Sequence, residues 1–446
     1  MELTRTRKIV VHDYAGHPFQ VQLSRKLAER GYEVHHLYFA ADATPRGALR
    51  RLPGDPDTLS IVPVSLATAF QKYALVKRVL QEAEYGRLVA ATINEIAPDV
   101  LINANVPIAA LTAIRRRCKI PFPDRSFVIW LQDILSVGVG KLTREKLPLI
   151  GSLVGDAFHR AEKRNLNAAD HIVCITQDFI PLLQGWRVDT GKCSVVENWA
   201  AIDEIRPFAG PSPWRKEHGL EGKRIVLYGG TLGFKHDPSL LIAAARALAA
   251  DPACADVALV VVAEGIGVDM LRAEKERHGL ANLHLMPFQR YERLSEIFSQ
   301  AEILLAVLSD NAGIFSVPSK VLGYMCAGRP ILLSAPEENL ATATVRRAGA
   351  GIGVRPGDHD GFVSHLTALL EEPGRAAELG RNARAYAERT FDIETIADRF
   401  EQIWLAEPAA ETAPRTPRRA GFEPRSSFAI SFGNRRESVP PVDLGR

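Results

Sequence analysis

The chain is poor in cysteine: five in 446 residues, at positions 118, 174, 193, 254 and 326, odd in number and with no C-x-x-C pair. That spacing excludes a disulfide framework and a structural zinc site, and the expected state is five buried thiols. No apolar run reaches the length needed to cross a bilayer, so no transmembrane helix is expected. Met1 to Lys8 is basic but leads straight into a short strand, without the longer apolar region of a signal peptide, and the expected location is the cytoplasm. Charge of one sign is lacking too. Lysine and arginine number 55 against 52 acidic residues, a net of +3, which gives no electrostatic footprint for nucleic acid. There is no repeat of solenoid period, and the loop after the first strand lacks the G-x-G-x-x-G spacing of a dinucleotide site.

What is present is alternation of strand and helix. Short apolar, β-branched runs recur at 8–12, 33–39, 100–104, 127–131, 171–176 and 194–197. Helical periodicity fills the intervals, as in 19–30, where Phe19, Leu23 and Leu27 oppose Arg25, Lys26 and Glu29 before Gly31. Strands apolar throughout require a sheet covered on both faces, hence parallel and doubly wound. After a Pro/Gly-rich loop at 207–213 the pattern restarts, with strands at 224–228, 258–263, 283–287, 303–308, 330–334 and 351–355 and a helix opened by Asp237-Pro238. The fold class is α/β: two Rossmann-like doubly wound domains facing a cleft. The expected divisions are 1–203, a linker 204–223, a second domain 224–390, a helix 391–406 and a tail 407–446. Ile396, Phe400, Ile403 and Trp404 give the helix an apolar stripe that needs a partner surface, and the Pro/Arg/Ser-rich tail is expected to be disordered.

Ligands of doubly wound domains bind beyond the carboxyl ends of the strands, so the strand-to-helix loops are where chemistry is sought. The most informative lies at Ser316-Val317-Pro318-Ser319-Lys320, followed by Val321 to Met325 and then Ala327-Gly328-Arg329-Pro330. A proline-opened short helix with a hydroxyl and an ammonium in its first turn brings free N–H groups and positive charge to one point, suited to a phosphate or diphosphate. Gly229-Gly230-Thr231-Leu232-Gly233, followed by Lys235, repeats the logic: glycines let backbone amides approach an anion, although G-G also marks ordinary turns. In the first domain, His12, Asp13, Gly16 and His17 form a polar strand-to-helix loop. Trp130-Leu131-Gln132-Asp133 ends a strand in an amide and a carboxylate, fit either to bind sugar hydroxyls or to cap a turn. Asp55-Pro56-Asp57 and Asp358-His359-Asp360 have a D-x-D spacing but sit in turn-forming surroundings, which favours caps over metal ligands.

Together the two α/β halves, the Gly-Gly…Lys loop, Asn198-Trp199-Ala200-Ala201-Ile202-Asp203 and the Pro-Ser-Lys helix resemble glycosyltransferase family 4 of GT-B architecture, over about residues 8–405. The likeness is to the bacterial exopolysaccharide and colanic-acid branch. It implies sugar transfer from a nucleotide-diphosphate sugar, with retention and without a bound metal or other cofactor. The implied donor residues are Gly16, Gly230, Thr231, Lys235, Glu264, Phe288, Gly313, Ile314, Phe315, Ser316, Ser319 and Lys320. The implied acceptor side is the Gly16 loop with His12, Asp13, His17, Gln132 and Asp133. Asp133, Lys235 and Lys320 are the candidate catalytic groups, and the last helix is expected to cross back to the first domain. The implied partners are the donor and a saccharide or lipid-linked saccharide.

One departure stands out. Where many family members carry a glutamate on each side of the Pro-Ser-Lys motif, this chain has Phe315 and Gly323, and the usual histidine before Asp133 is Gln132. The missing carboxylates keep open a catalytically silent nucleotide-sugar scaffold, and the shared architecture keeps open a sugar-nucleotide epimerase. Residues 147–166 read as a helix with Leu149, Ile150, Leu153, Val154, Ala157 and Phe158 on one side and His159, Arg160, Lys163 and Arg164 beyond. With Lys72, Lys77, Arg78 and Arg115-Arg116-Arg117 it suits either an anionic membrane surface, at the inner face of the plasma membrane, or core packing with a solvated end.

Overall fold

Strands built almost wholly of Val, Ile and Leu have no face to give to water, and here they assemble into two all-parallel sheets. The computed structural model describes residues 6–405 apart from 42–47, 72–73, 120–124, 147–148, 209, 211, 234 and 311–318. The first sheet comprises β1 (Lys8–Asp13), β2 (Glu33–Phe39), β3 (Leu59–Val64), β4 (Val100–Ala104), β5 (Ser126–Leu131), β6 (His171–Cys174) and β7 (Cys193–Val195), in the order β3-β2-β1-β4-β5-β6-β7. The second comprises β8 (Arg224–Gly229), β9 (Val257–Val262), β10 (Leu283–Met286), β11 (Ile303–Val307), β12 (Ile331–Ser334) and β13 (Gly351–Val354), in the order β10-β9-β8-β11-β12-β13. Every residue of β4, β9, β11 and β12 is buried, as two covered faces require. In each sheet the order reverses beside the first strand, between β1 and β4 and between β8 and β11, which opens a crevice at the carboxyl ends.

Strand β3 carries no clear sequence signal. It is an edge strand, partly exposed from Ser60 to Pro63, with Pro63 opposite Tyr38, and proline is tolerated only at such an edge. The helix expected over 147–166 is instead Gly151–Ala168, preceded by a separate helix Leu135–Lys146. Gly151 lets the two pack closely, since a Cβ there would lie 2.2 Å from the Thr143 carbonyl. Leu149, Ile150 and Leu153 are not core residues; they are 96%, 52% and 67% exposed. Four of the five thiols are buried, while Cys193 is half-buried at the sheet edge. Asp55 takes the Arg25 guanidinium and the Leu52 amide, and Asp358 caps the helix His359–Glu371, as turn and cap residues do. No helix of the described residues is long and apolar enough to cross a membrane. The expected tail at 407–446 lies outside the described residues.

The last helix, Ile393–Leu405, buries Ile396, Phe400 and Trp404 against the first domain. Its polar side is held by ions: Arg30 reaches Glu394 (2.6 Å), Asp398 (2.7 Å) and Glu401 (2.5 Å), and Lys26 reaches Glu394 at 2.7 Å. Exposed pairs of this kind contribute little singly, so the apolar stripe dominates. Phe400, fully buried with its ring 4.8 Å from that of Trp130, is the largest single contribution. Phe400→Ala should therefore lower unfolding free energy by about 3–5 kcal/mol in urea titration. A loss below about 1 kcal/mol would show that the helix is not held at this seat.

Candidate functional site

The carboxyl ends of β8, β9 and β11 and the loop after β1 face a cavity of about 360 Å³, with His17, Phe19 and Trp199 contributed by the first domain and Gly229, Gly230, Thr231, His236, Phe288, Tyr291, Lys320 and Gly323 by the second. Strand β8 fixes the floor. Its end is tied by Tyr324, whose hydroxyl accepts from the Gly229 amide at 2.9 Å and lies 3.1 Å from the carbonyls of Gly229 and Leu305. Tyr324 sits on the helix Ser319–Ala327, so this one buried hydroxyl sets the helix start beside the glycine turn. Gly230 then turns with φ +127°, its amide bonded to the Val262 carbonyl at 2.9 Å, and a Cβ there would stand 3.2 Å from Lys320 Cε. The glycine is required both by the backbone angle and by the lysine stem passing over it.

Lys320 lies over the Tyr228 ring, Nζ 4.0 Å from its centroid, and bonds the Tyr228 hydroxyl. Burial pulls the Lys320 ammonium down to about 7. Burial, with the Lys320 charge second, holds His236 down to about 3, so its imidazole is neutral and its Nδ1 accepts from the Gly233 amide at 3.2 Å. The Tyr228 hydroxyl, pushed well above its ordinary value by burial, stays protonated and donates to the Thr231 carbonyl at 2.8 Å. The cavity thus presents a desolvated amine that no carboxylate of the described residues pairs with. A diphosphate seated against the Gly230 turn and the helix start would supply that partner.

Across the cleft, Lys235 is half-exposed with Nζ 3.9 Å from Asp133 Oδ2. Burial raises the Asp133 carboxyl, opposed by Lys235 and by the Ile134 amide that donates to Oδ1 at 2.8 Å. Asp133 therefore both caps its own turn and faces the second domain. Gly16, at φ +74°, makes the turn that presents His17, which stacks on Phe19 at 5.3 Å between ring centroids.

Several sequence expectations are corrected. His12 and Asp13 are fully buried: His12 bonds Asn103 and Tyr85, each at 2.9 Å, and Asp13 accepts from the Ala15 amide, so neither side chain lines the cavity. Both lie within β1, whose carboxyl end is one residue further along than the sequence suggests. Gln132 accepts from Asn198 at 2.6 Å and does not line the main cavity. Glu264 is exposed and also outside it, and its carbonyl accepts from the Leu232 amide. Gly313, Ile314, Phe315 and Ser316 lie outside the described residues, and Ser319 is the first residue of its helix.

Sequence reasoning missed Tyr228, His236 and Tyr291. Tyr228 could have been found, as a hydroxyl just before the carboxyl end of a strand. Tyr291, whose hydroxyl is pushed up by burial and then by Glu204, bonds that carboxylate only because the loop after β7 folds under the second domain, which no spacing reveals. Gly323 lines the cavity one turn from Lys320; a Cβ there would meet Ile205 at 3.4 Å and Phe298 at 3.6 Å, so the wall is apolar where the family places a carboxylate.

Two doubly wound domains, with glycine amides, lysines and a helix start on the second domain's side of the cleft, define a protein of GT-B type. Residues 17–199 match the model of the glycosyl transferase 4-like domain, and 212–386 that of glycosyl transferases group 1. A putative colanic acid biosynthesis glycosyl transferase, WcaI of Escherichia coli K12, is 24% identical over 254 residues, 56% of this chain and 60% of that protein. The chain thus spans about three-fifths of that curated relative's length. Among solved structures, Anabaena HepE in complex with UDP and glucose superposes with TM-score 0.64 at 17% identity, over 90% of this chain and all of that one. WaaG, a glycosyltransferase involved in lipopolysaccharide biosynthesis, gives 0.62 at 17%, over 89% and 98%. The chain belongs to the glycosyltransferases, of the group 1 and family 4 type.

The Lys320 environment makes a signed prediction. Its amine titrates at about 7 when folded against 10.5 in the unfolded chain, so between these values the unfolded state holds the extra proton and stability rises with pH. The unfolding free energy of the wild type minus that of Lys320→Met should increase from pH 7 to pH 10 in denaturant titrations. A difference independent of pH would mean that the amine is solvated.

Proposed function

We propose that the protein is a retaining, metal-independent glycosyltransferase. It moves a sugar from a nucleotide-diphosphate sugar to a saccharide or lipid-linked saccharide in bacterial surface polysaccharide synthesis, and works at the inner face of the plasma membrane. The observation that carries this reading is the desolvated Lys320 amine seated between Tyr228 and the Gly230 turn at a helix start. When the sugar C1–O bond breaks, negative charge collects on the diphosphate. A protonated Lys320, Lys235 and the amides of the Gly230 turn stabilise it without a cation. The acceptor hydroxyl bonds C1 on the face the diphosphate leaves, and its proton passes to a departing phosphate oxygen; Asp133, partly buried and facing Lys235, positions the acceptor. Phe288 and Tyr291 lie where a base and ribose would stack, and closure of the cleft excludes water. The colanic-acid name of the relative supports the polysaccharide context, and UDP in HepE supports a nucleotide donor. Eight exposed large apolar side chains on and beside the first domain's helices, interspersed with arginines, support the membrane placement.

The apolar wall at Gly323 favours a second reading, a scaffold that binds donor without turnover. Melting the protein with UDP, GDP, dTDP and ADP separates these. One nucleoside diphosphate at a hundredfold excess over its Kd should stabilise by about 2.7 kcal/mol, roughly 2–4 °C, and Lys235→Ala and Lys320→Ala should abolish the shift. No shift with any of the four contradicts both readings. Binding without release of nucleoside diphosphate from the matching sugar nucleotide, in the presence of membrane extract as acceptor source, would leave the scaffold.

A further inference from the structure

The helices Leu75–Ile96, Ile108–Arg117, Gly151–Ala168 and Leu135–Lys146 pack side by side in that order and cover one face of the first sheet. Of the twelve large apolar side chains exposed among the described residues, eight lie on this layer or the turn within it, including Val76, Leu80, Leu149 and Leu153 at 75%, 64%, 96% and 67% exposed. Between the first three helices runs a trough of about 450 Å³, floored by Ala109, Ala113, Phe158 and Ala161 and rimmed by Arg87, Arg116 and Arg117. The three rim arginines are exposed, and none forms an ion pair with a described carboxylate. Cationic density continues beside them: Arg115, held by Asn165, is lowered by burial and then by the nearby charges of Arg116 and Arg164.

Alanines along most of the floor leave an apolar groove suited to a hydrocarbon chain, and guanidinium groups at its rim match phosphate oxygens. A symmetric second copy fits poorly, because an isologous contact would bring the same arginines together. The spread of apolar residues over the whole helix layer, beyond the trough, also fits a broad partner more than a single peptide. We propose that this trough is an anionic phospholipid site, taking an acyl chain on its alanine floor and the lipid phosphate on Arg87, Arg116 and Arg117, with Leu149 and Leu153 entering the bilayer beside it. The proposal rests on the peripheral placement given above and deepens it, by distinguishing seated lipid from charge adhesion alone. It also orients the enzyme: Ile108, at the trough's near end, belongs to the loop-to-helix junction two residues from Val106, which lines the same recess as Asp133.

Flotation of the full chain with phosphatidylglycerol vesicles, and with phosphatidylcholine vesicles as the neutral control, tests it. Wild type should float with the anionic vesicles and scarcely with the neutral ones, and more weakly as salt rises. Exchanging the three arginines for glutamine (R87Q, R116Q, R117Q) should weaken binding about fivefold per guanidinium removed. Ala113→Trp fills the trough without changing charge and should weaken binding by roughly tenfold while the melting temperature and the nucleotide-induced shift stay as in wild type. If Ala113→Trp floats like wild type, the lipid seat is wrong and membrane placement by charge stands. If wild type binds neither vesicle, both fall. Should sedimentation show a dimer that Ala113→Trp disperses, the trough belongs to a second copy and the lipid proposal is overturned; if the tryptophan variant does not fold, the smaller Ala113→Leu narrows the same floor without changing charge, and flotation like wild type by that variant overturns the lipid seat.

Discussion

Everything at the cleft depends on an aromatic contact between parts of the chain far apart in sequence. Trp199, just after the last strand of the first domain, stacks on Trp130 of β5 with centroids 5.4 Å apart and planes 14° from parallel, and meets Phe19 edge-on at 5.4 Å. Phe400 of the final helix closes the other side of Trp130 at 4.8 Å. The Trp199 indole is further fixed by donating to Gln22 at 2.7 Å. One cluster thereby joins the first helix, β5, the connection between domains and the returning helix. Aromatic contacts of this geometry add about 0.5–1.5 kcal/mol each beyond the area they bury. Because Phe19 and Trp199 also line the cavity, the packing that holds the domains face to face also shapes the site.

The second constraint is electrostatic. A lysine pressed against a tyrosine ring and a glycine turn, beside a neutral histidine, forfeits much of its hydration, and the charged amine costs the fold free energy. An anion of sufficient charge offsets it. A side chain at Gly230 would be strained at φ +127° and would crowd the lysine stem, and without Tyr324 the helix start would lose its tie to β8 and β11. Local strain and desolvation gathered at one point of an otherwise consistent fold mark where function lies.

Most of the architecture was legible because its signals are local. Apolar strands such as β9 and β11 name themselves, and the final helix was readable from the spacing of Ile396, Phe400 and Trp404. Strand β3 was not, since an edge strand with a proline pairs for reasons of position in the sheet rather than composition. At the site, Gly230, Lys235 and Lys320 were legible as anion-binding residue types in strand-to-helix loops. His12 and Asp13 were misjudged because polar residues near a strand end look alike whether they face the crevice or a buried network, and here Asn103 and Tyr85, each far off in sequence, draw His12 inward. Tyr291 with Glu204 stayed invisible for the same reason: the partner comes from the other domain.

The central claim, that a desolvated Lys320 meets the diphosphate of a nucleotide, is tested most directly by calorimetric titration of the best-binding nucleoside diphosphate at pH 8 in buffers of different ionisation enthalpy. An amine that titrates at about 7 in the folded protein before nucleotide is added is mostly neutral at that pH, so binding should take up ~1 proton per site, and Lys320→Met should take up none. Binding with no proton uptake in the wild type, or with the same uptake in Lys320→Met, would contradict the account.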